Sequence, residues 1–372
     1  MDGAVFEGDV MMLWVRRIAV GLAILIVLAV FGFNLFKKQI ATMAFERVIE
    51  TRVGIDRSDQ MPDGLHVFLC GNGSPMPDAS RAGPCLGVLA GERAYVFDVG
   101  SGGVRNLGTM GFPFPKLETV YLTHLHSDHI DGLGELLVLS WVGGGRSTPT
   151  PIHGPVGTQQ IVDGFNAAYR IDSTYRVAHH GVEVANPAGY GGVATELTVP
   201  AGPAGKAVVF EDENLRITAI RVAHAPVEPA FGYRIDYKDR SISISGDTIY
   251  HPGFVSASKD VDVMLHEALD PEMVSAIGKR LGERGQANNA KIFHDILDYH
   301  ASPEDAARAA QEAGAKELVL YHLVPPLPVK MLNTIFLGSA KSIFDGPILV
   351  GEDGIVISLP AGSEKITQER AY

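Results

Sequence analysis

Basic charge is scarce in this chain. It carries 31 lysines and arginines against 43 aspartates and glutamates, a formal net charge of −12, and no long Lys/Arg cluster. Phosphate backbones are held by basic patches, so this composition argues against a large nucleic-acid surface. Cysteine is nearly absent: Cys70 and Cys85 are the two. Both sit in apolar, strand-like contexts and are read as small buried residues, with a single disulfide as the alternative. They leave the redox compartment open. No internal repeat and no low-complexity tract is found. What is present suits a globular protein: 46% apolar and 20% charged residues over 372 positions, enough for one large domain or two ordinary ones. The 42 glycines fit a loop-rich α/β or β protein.

The N-terminus lacks a small-x-small cleavage site. Ile18 to Phe36 is nearly all apolar, broken by glycines and Asn34 and flanked by Arg16–Arg17 and Lys37–Lys38. At ~1.5 Å per residue it spans roughly 28 Å, close to a bilayer core. Residues 1–38 are therefore read as an uncleaved single-pass membrane anchor, in preference to a cleaved signal or a buried core helix. Basic residues on both flanks leave the side of the membrane open. Residues 39–64 read as an amphipathic connector, 65–360 as the main domain and 361–372 as a tail.

From Leu65 on, strands and helices alternate. "HVFLCGNG" is a strand entering a Gly turn, and "CLGVLAGERAYVFDVGSG" is a hairpin tipped at Gly91-Glu92. "LETVYLTH" is a strand and "IDGLGELLVLSWV" a helix. "LRITAIRVAH", "FGYRIDY", "RSISISGD", "VDVMLHEAL" and "KELVLYH" are strands. "SPEDAARAAQEAG" is a helix with Ser302 as N-cap, Pro303 at its first position and Gly314 at its end. Residues 181–206, rich in Gly, Ala and Pro, read as a long irregular loop.

The chemistry is concentrated in "LTHLHSDHIDG", Leu122 to Gly132. A buried strand ends at His124, and His126, Asp128 and His129 follow on the loop before a helix. Imidazole nitrogens with one carboxylate suit Zn²⁺. So many ligands crowd one tetrahedral ion, and two ions sharing the loop is the natural reading. Further ligands end later strands: His224 after "IRVA", Asp247 in "SGDT" and His322 after "LVLY". Each follows an apolar strand, which places them together on one sheet edge.

"THLHSDH", "AHAPVEPAFGYRI", "SGDT", "HEAL" and "YHLVPP" together resemble the metallo-β-lactamase superfamily, and within it the ribonuclease Z and arylsulfatase-like branch. The likeness covers about residues 65–358. It implies an α/β fold, the αββα four-layer sandwich, preceded here by one transmembrane helix. It implies two Zn²⁺: His124, His126 and His224 on one, Asp128, His129 and His322 on the other, Asp247 and a water bridging them, and Asp98 supporting the metal loop from behind. Two such ions lie roughly 3.5–4 Å apart and bring a water to a pKa of about 7, with Asp128 and Asp247 orienting the resulting hydroxide. The leaving group's proton is expected from His300, partnered by Glu267, with His266 as the alternative donor.

Ribonuclease Z inserts a long basic arm between "FGYRI" and "SGDT"; here only a short stretch lies between them. The expected activity is therefore a membrane-anchored dizinc hydrolase of phosphate or sulfate esters, phosphodiesterase-like or arylsulfatase-like, acting on a small-molecule substrate. Hydrolysis of a lactone or amide, and ribonuclease Z-type RNA processing, are the alternatives. An iron redox protein of this fold usually has Glu where His126 stands, so the loop favours zinc. A non-catalytic binding domain does not need this intact ligand set. A homodimer stays open. His179 and His180 read as pocket or surface groups and His294 as structural; His66, His153 and His251 have no assigned role.

Overall fold

The computed structural model describes residues 3–54 and 56–372, with the side chains of 3–10 and 52 outside that set. The chain divides into two units, Met1–Ile55 and Asp56–Tyr372. The first is one helix, α1 (Gly3–Arg52). Its stretch Met11–Thr51 is long and apolar enough to cross a membrane, with no part of that apolar window buried. The connector expected from residue 39 is thus largely helix. From Phe33 to Val53 there is neither Gly nor Pro, and "KKQIATMAFER" is rich in good helix formers. The helix stops just before Gly54, whose φ of +71° suits a helix end.

The second unit opens with β1 (Gly64–Gly71), β2 (Cys85–Ala90) and β3 (Arg93–Val99), then α2 (Gly103–Thr109) and β4 (Leu117–Tyr121). Two short helices, α3 (Ser127–Ile130) and α4 (Leu133–Val138), precede β5 (Thr150–Gly154), α5 (Thr158–His180) and β6 (Gly192–Glu196). A meander follows: β7 (Lys206–Glu211), β8 (Leu215–His224), β9 (Val227–Tyr237) and β10 (Arg240–Ile244). Then come α6 (Pro252–Ala257), β11 (Val263–Leu269), α7 (Pro271–Glu283), α8 (Ala287–Asp295), α9 (Pro303–Ala313) and β12 (Glu317–Val324). The chain closes with α10 (Asn333–Phe336), α11 (Ala340–Ile343), β13 (Ile348–Val350), β14 (Ile355–Pro360) and β15 (Thr367–Arg370).

The strands form two sheets, ordered β15-β14-β1-β2-β3-β4-β5-β6 and β13-β12-β11-β10-β9-β8-β7. Leu65, Val67, Tyr95 and Phe97 of one sheet and Ile217, Tyr233, Ile242 and Leu265 of the other share the central core. The outer face of the first sheet meets Val104, Leu107, Leu133 and Val162 from α2, α4 and α5. The outer face of the second meets Phe254 of α6 and the alanines of α9. Four layers, αββα, result. The period of two in a strand assigns each residue of β11 a side: Val263 and Leu265 face the central core, and Met264 faces the helices.

Three expectations change. The stretch 181–206 is not all loop: β6 lies in it and pairs in parallel with β5, Thr150 opposite Gly192. "GVATE" is too short to show a period. The expected tail contains β15, antiparallel to β14 with Ile355 opposite Arg370; its polar "TQER" suits a sheet edge. Cys70 and Cys85 are buried, as read, but bonded to each other. Strands β1 and β2 are neighbours with Gly71 opposite Cys85, and the Cα atoms lie 5.1 Å apart, within bridging range.

Ser302 accepts a hydrogen bond from the Asp305 N–H, completing a capping box with Pro303 at the first position, and Gly314 takes the left-handed conformation at the end of α9. Such a cap contributes about 1 kcal/mol and fixes where the chain enters α9, just after His300.

Candidate metal centre

Strand direction assembles the site. β9 runs antiparallel to both β8 and β10, so β8 and β10 point the same way. β11 and β12 run parallel to β10. The carboxyl ends of β8, β10, β11 and β12 therefore share one edge, and they deliver His224, Asp247, Glu267 and His322. In the other sheet β3 and β4 are parallel and deliver Asp98 and the His124–His129 loop. The two edges are joined where Phe231 N–H donates to the Thr123 carbonyl (2.9 Å) and the Tyr233 hydroxyl to the Leu122 carbonyl (2.7 Å).

His322 needs a further device. The pairing of β11 with β12 shifts after Glu267–Tyr321, so His322 is an extra residue in its strand, with φ +46°. A bulge of this kind re-aims a side chain. Its left-handed backbone costs on the order of 1–3 kcal/mol, a strain characteristic of functional sites.

One ligand atom each from His124, His126, His224 and Asp247 lie within 4.8 Å of one another, as do those of Asp128, His129 and His322, and those of Asp247, His300 and His322. Asp247 is the hub. Its Oδ2 is 3.8 Å from Nε2 of His124 and of His224, and 3.4 Å from Nε2 of His129 and of His322. His124 Nε2 and His126 Nδ1 face each other at 2.9 Å. The nitrogens turned away are held by protein groups. His129 Nδ1 meets Asp98 Oδ2 at 2.8 Å, His124 Nδ1 meets the Thr123 hydroxyl at 3.1 Å, and His224 Nδ1 meets the Tyr299 carbonyl at 3.0 Å.

The electrostatics ask for a cation. Burial, reinforced by neighbouring imidazoles, keeps His124 well below the usual imidazole range, and burial also lowers His126 and His224. Burial thus favours the neutral ring, which offers a lone pair. Burial opposes charge on His129 and His322 too, but Asp247 outweighs it, helped by Asp98 at the first and Asp128 at the second. His129 is held well above its ordinary value and His322 at about 9. Burial would raise Asp247, yet His322 and His129 hold it well below the carboxylate range. The His129 Nε2 and Asp247 Oδ1 atoms are buried without a hydrogen-bond partner, as suits atoms that bind a metal. The donor set fits divalent metal.

Beside the cluster lies a His–carboxylate pair. Glu267 is fully buried. Its Oε1 faces His300 Nδ1 at 2.9 Å and accepts from Thr248 N–H (3.1 Å) and Ala301 N–H (3.2 Å). Burial opposes charge on His300, but Glu267 outweighs it and raises its pKa.

His266, the alternative donor, is not at the site. Strand alternation turns it with Met264 to the helix side. There its Nδ1 meets the Glu267 carbonyl (2.8 Å) and its ring edge approaches Phe254. His179 and His180 end α5 and His294 lies near the end of α8, all exposed. His251 caps α6, accepting from the Phe254 N–H. Thr123 and Tyr299 were missed. Each stands just before a singled-out histidine, and neither residue type signals a supporting role. A cavity of about 620 Å³ adjoins Asp128, walled by Ser74–Gly83, Ser101 and Asp131.

An αββα sandwich with clustered His and Asp at the carboxyl ends of its strands defines a metal-dependent hydrolase. Residues 106–323 match the family model described as the beta-lactamase superfamily domain, and this chain belongs to that superfamily. Among its relatives, the ribonuclease Z of Mycobacterium avium (strain 104) is 34% identical over 291 residues, covering 78% of this chain and 96% of that one. The ribonuclease Z of Mycolicibacterium gilvum is 32% identical, covering 78% and 94%. Of solved structures, human tRNase Z, short form, superposes with TM-score 0.56 at 23% identity, covering 79% and 99%. The metallo-beta-lactamase fold protein YhfI from Bacillus subtilis gives 0.54 at 21%, covering 80% and 100%. These two likenesses concern the fold.

Proposed function

We propose that this chain is a zinc-dependent phosphodiester hydrolase of the ribonuclease Z type, carried on a membrane anchor. The observation that carries it is the placement of Asp247 Oδ2 within 3.4–3.8 Å of four histidine Nε2 atoms, with the His300–Glu267 pair alongside. His124, His126 and His224 would hold one Zn²⁺, Asp128, His129 and His322 a second, and Asp247 would bridge. Bound ions of this kind supply a nucleophile at neutral pH and stabilise charge on the attacked oxygens.

The chain's own residues do the rest. Asp128 and Asp247 orient the attacking group by accepting hydrogen bonds. Glu267 keeps a proton on His300 Nδ1 and fixes the ring. His300 then protonates the leaving oxygen, a role for general acids worth typically 10²–10⁴-fold.

The relatives' name supports RNA as the substrate class. One observation favours a second reading, a smaller phosphate or sulfate ester: β9 and β10 are joined by a tight turn at Lys238-Asp239, leaving no arm at that position. The test is turnover of bis-nitrophenyl phosphate, nitrophenyl sulfate, a lactone and a precursor tRNA by the full chain. Cleavage of a phosphodiester, lost with chelator and restored by zinc, is expected. A lactone as the only substrate refutes it. His300→Ala should lower kcat by ~10²–10⁴ on a poor leaving group and far less on a good one, with metal content unchanged.

A further inference from the structure

The Cys70–Cys85 bridge stands at the root of the loop that walls the cavity beside Asp128. Residues 71–84 between the two cysteines carry most of that wall. The loop is tied to both sides of the Asp128–His129–His322 triad. At one end the Asn72 carbonyl accepts from the N–H of Leu323, next to His322 (2.8 Å). At the other, Gly83 N–H donates to the Ser101 carbonyl (3.0 Å) and Gly100 N–H to the Pro84 carbonyl (2.8 Å). Gly100 is packed so closely that a Cβ there would lie 2.5 Å from the Asp128 carbonyl oxygen. Between these ends Asp353 pins the loop, accepting from Asn72 N–H (3.0 Å) and Ala82 N–H (2.6 Å).

The sulfurs are closely packed. Both cysteines are buried. Gly103, at the start of α2, packs closely against Cys85: a Cβ there would sit 2.5 Å from Cys85 Cβ and 2.8 Å from its Sγ. Two separate thiols need more space than a bridge, and the loop or α2 must move to give it. The chain holds no other cysteine. Disulfides persist in oxidising compartments and are rare in the reducing cell interior. The chain that carries this one begins with an apolar helix of membrane-spanning length.

We propose that the hydrolase domain is held on the oxidising side of the membrane, where the Cys70–Cys85 bridge forms and fixes the wall of the cavity beside Asp128, and that its substrate is a phosphodiester present on that side. This rests on the anchored phosphodiesterase reading above and adds the side of the membrane on which it acts. Bridge formation takes two electrons and two protons from the thiols. An exchanging disulfide accepts them and leaves as two thiols.

Cells making the full chain are quenched in acid and treated with a maleimide–polyethylene glycol reagent before and after reduction. Two adducts only after reduction, and digestion of residues 56–372 by protease added to intact spheroplasts, are expected. Free thiols at quenching, or a domain protected until the membrane is lysed, overturn the proposal. The purified full chain in detergent is then reduced with tris(carboxyethyl)phosphine. One water supplies the oxygen of the phosphine oxide, and two thiols remain. Loss of about tenfold or more in bis-nitrophenyl phosphate turnover is expected, the scale of damage to groups supporting a metal site. Unchanged turnover with both thiols free removes the bridge from the site. Because the thiol and protease readouts need no turnover, an inactive but bridged and accessible chain refutes only the hydrolase reading.

Discussion

Asp98→Asn tests how the metal loop is held. Three donors converge on this buried carboxylate: Thr123 N–H on Oδ1 (2.8 Å), and the Thr123 hydroxyl (2.7 Å) and His129 Nδ1 (2.8 Å) on Oδ2. Asparagine matches aspartate in size and tolerates the left-handed backbone at φ +55°, where alanine would add roughly 1–2 kcal/mol. Its amide has one acceptor oxygen, so it cannot serve both sides. With the oxygen toward Thr123 N–H, the amide NH₂ faces His129 Nδ1. The ring then accepts there and carries its proton on Nε2, the atom pointed at Asp247. A protonated Nε2 is no ligand. Loss of such a supporting group typically costs 10–100-fold in metal affinity or activity, about 1.4–2.7 kcal/mol. The assay is bound zinc after dialysis against graded chelator, with far-ultraviolet circular dichroism as the check on folding. The variant should release zinc at about 10–100-fold lower chelator activity than the parent. A folded Asp98→Asn chain that retains zinc like the parent would refute the tautomer argument.

Asp247→Ala should bind neither metal tightly and lose turnover, because one carboxylate faces four histidines. His126→Ala should keep the Asp128–His129–His322 zinc, and metal analysis of the two variants side by side distinguishes them. Burial holds His66, His153, His251 and His266 below the usual imidazole range. A depressed histidine pKa means the fold favours the neutral ring. Its contribution is complete above about pH 6.5 and is lost as pH falls through the folded value, by at most ~1.4 kcal/mol per pH unit for each ring. The urea midpoint of metal-free protein should therefore drop from pH 6.5 to 5; a flat profile contradicts the assignment. The full chain should fractionate with membranes and resist alkaline carbonate, and deletion of residues 1–38 should release it. A mature N-terminus near residue 45 would indicate a cleaved signal instead.

The parts of this protein legible in its sequence are those where one strand carries its own signal. "LETVYLTH" shows both a buried strand and the ligand that ends it, and the same holds for "LRITAIRVAH" and "KELVLYH". The capping of α9 was readable because Ser302, Pro303 and Gly314 each act locally. What escaped depends on partners distant in the chain. The bridge between Cys70 and Cys85 follows from β1 lying beside β2. The role of Tyr299 is a backbone carbonyl, which any residue has. β6 and β15 are too short for a period and exist because a neighbouring strand needs an edge partner. His266 was misplaced as a donor for a simpler reason: in "VMLHEAL" it shares its face with Met264, and only Glu267 falls on the side of Val263 and Leu265.

Several histidines around the centre follow one rule, in which the ring nitrogen turned away from the centre is occupied by a fixed acceptor and the other is left free. His129 uses a buried carboxylate and His224 a carbonyl. His300 has the same arrangement as His129. Its Nδ1 meets a buried carboxylate at 2.9 Å, where that of His129 meets Asp98 at 2.8 Å, and both carboxylates also accept backbone N–H groups. Local support alone therefore does not separate a ligand from a proton donor. Position does. His129 Nε2 lies 3.4 Å from Asp247 and 3.6 Å from Asp128, inside the carboxylate cluster. His300 stacks on His322, ring centroids 5.6 Å apart, and groups with Asp247 and His322 but not with Asp128; its elevated pKa comes from Glu267 first. A carboxylate behind an imidazole inside the cluster strengthens a ligand. On the function proposed above, the same carboxylate behind His300 keeps a proton available for the leaving group.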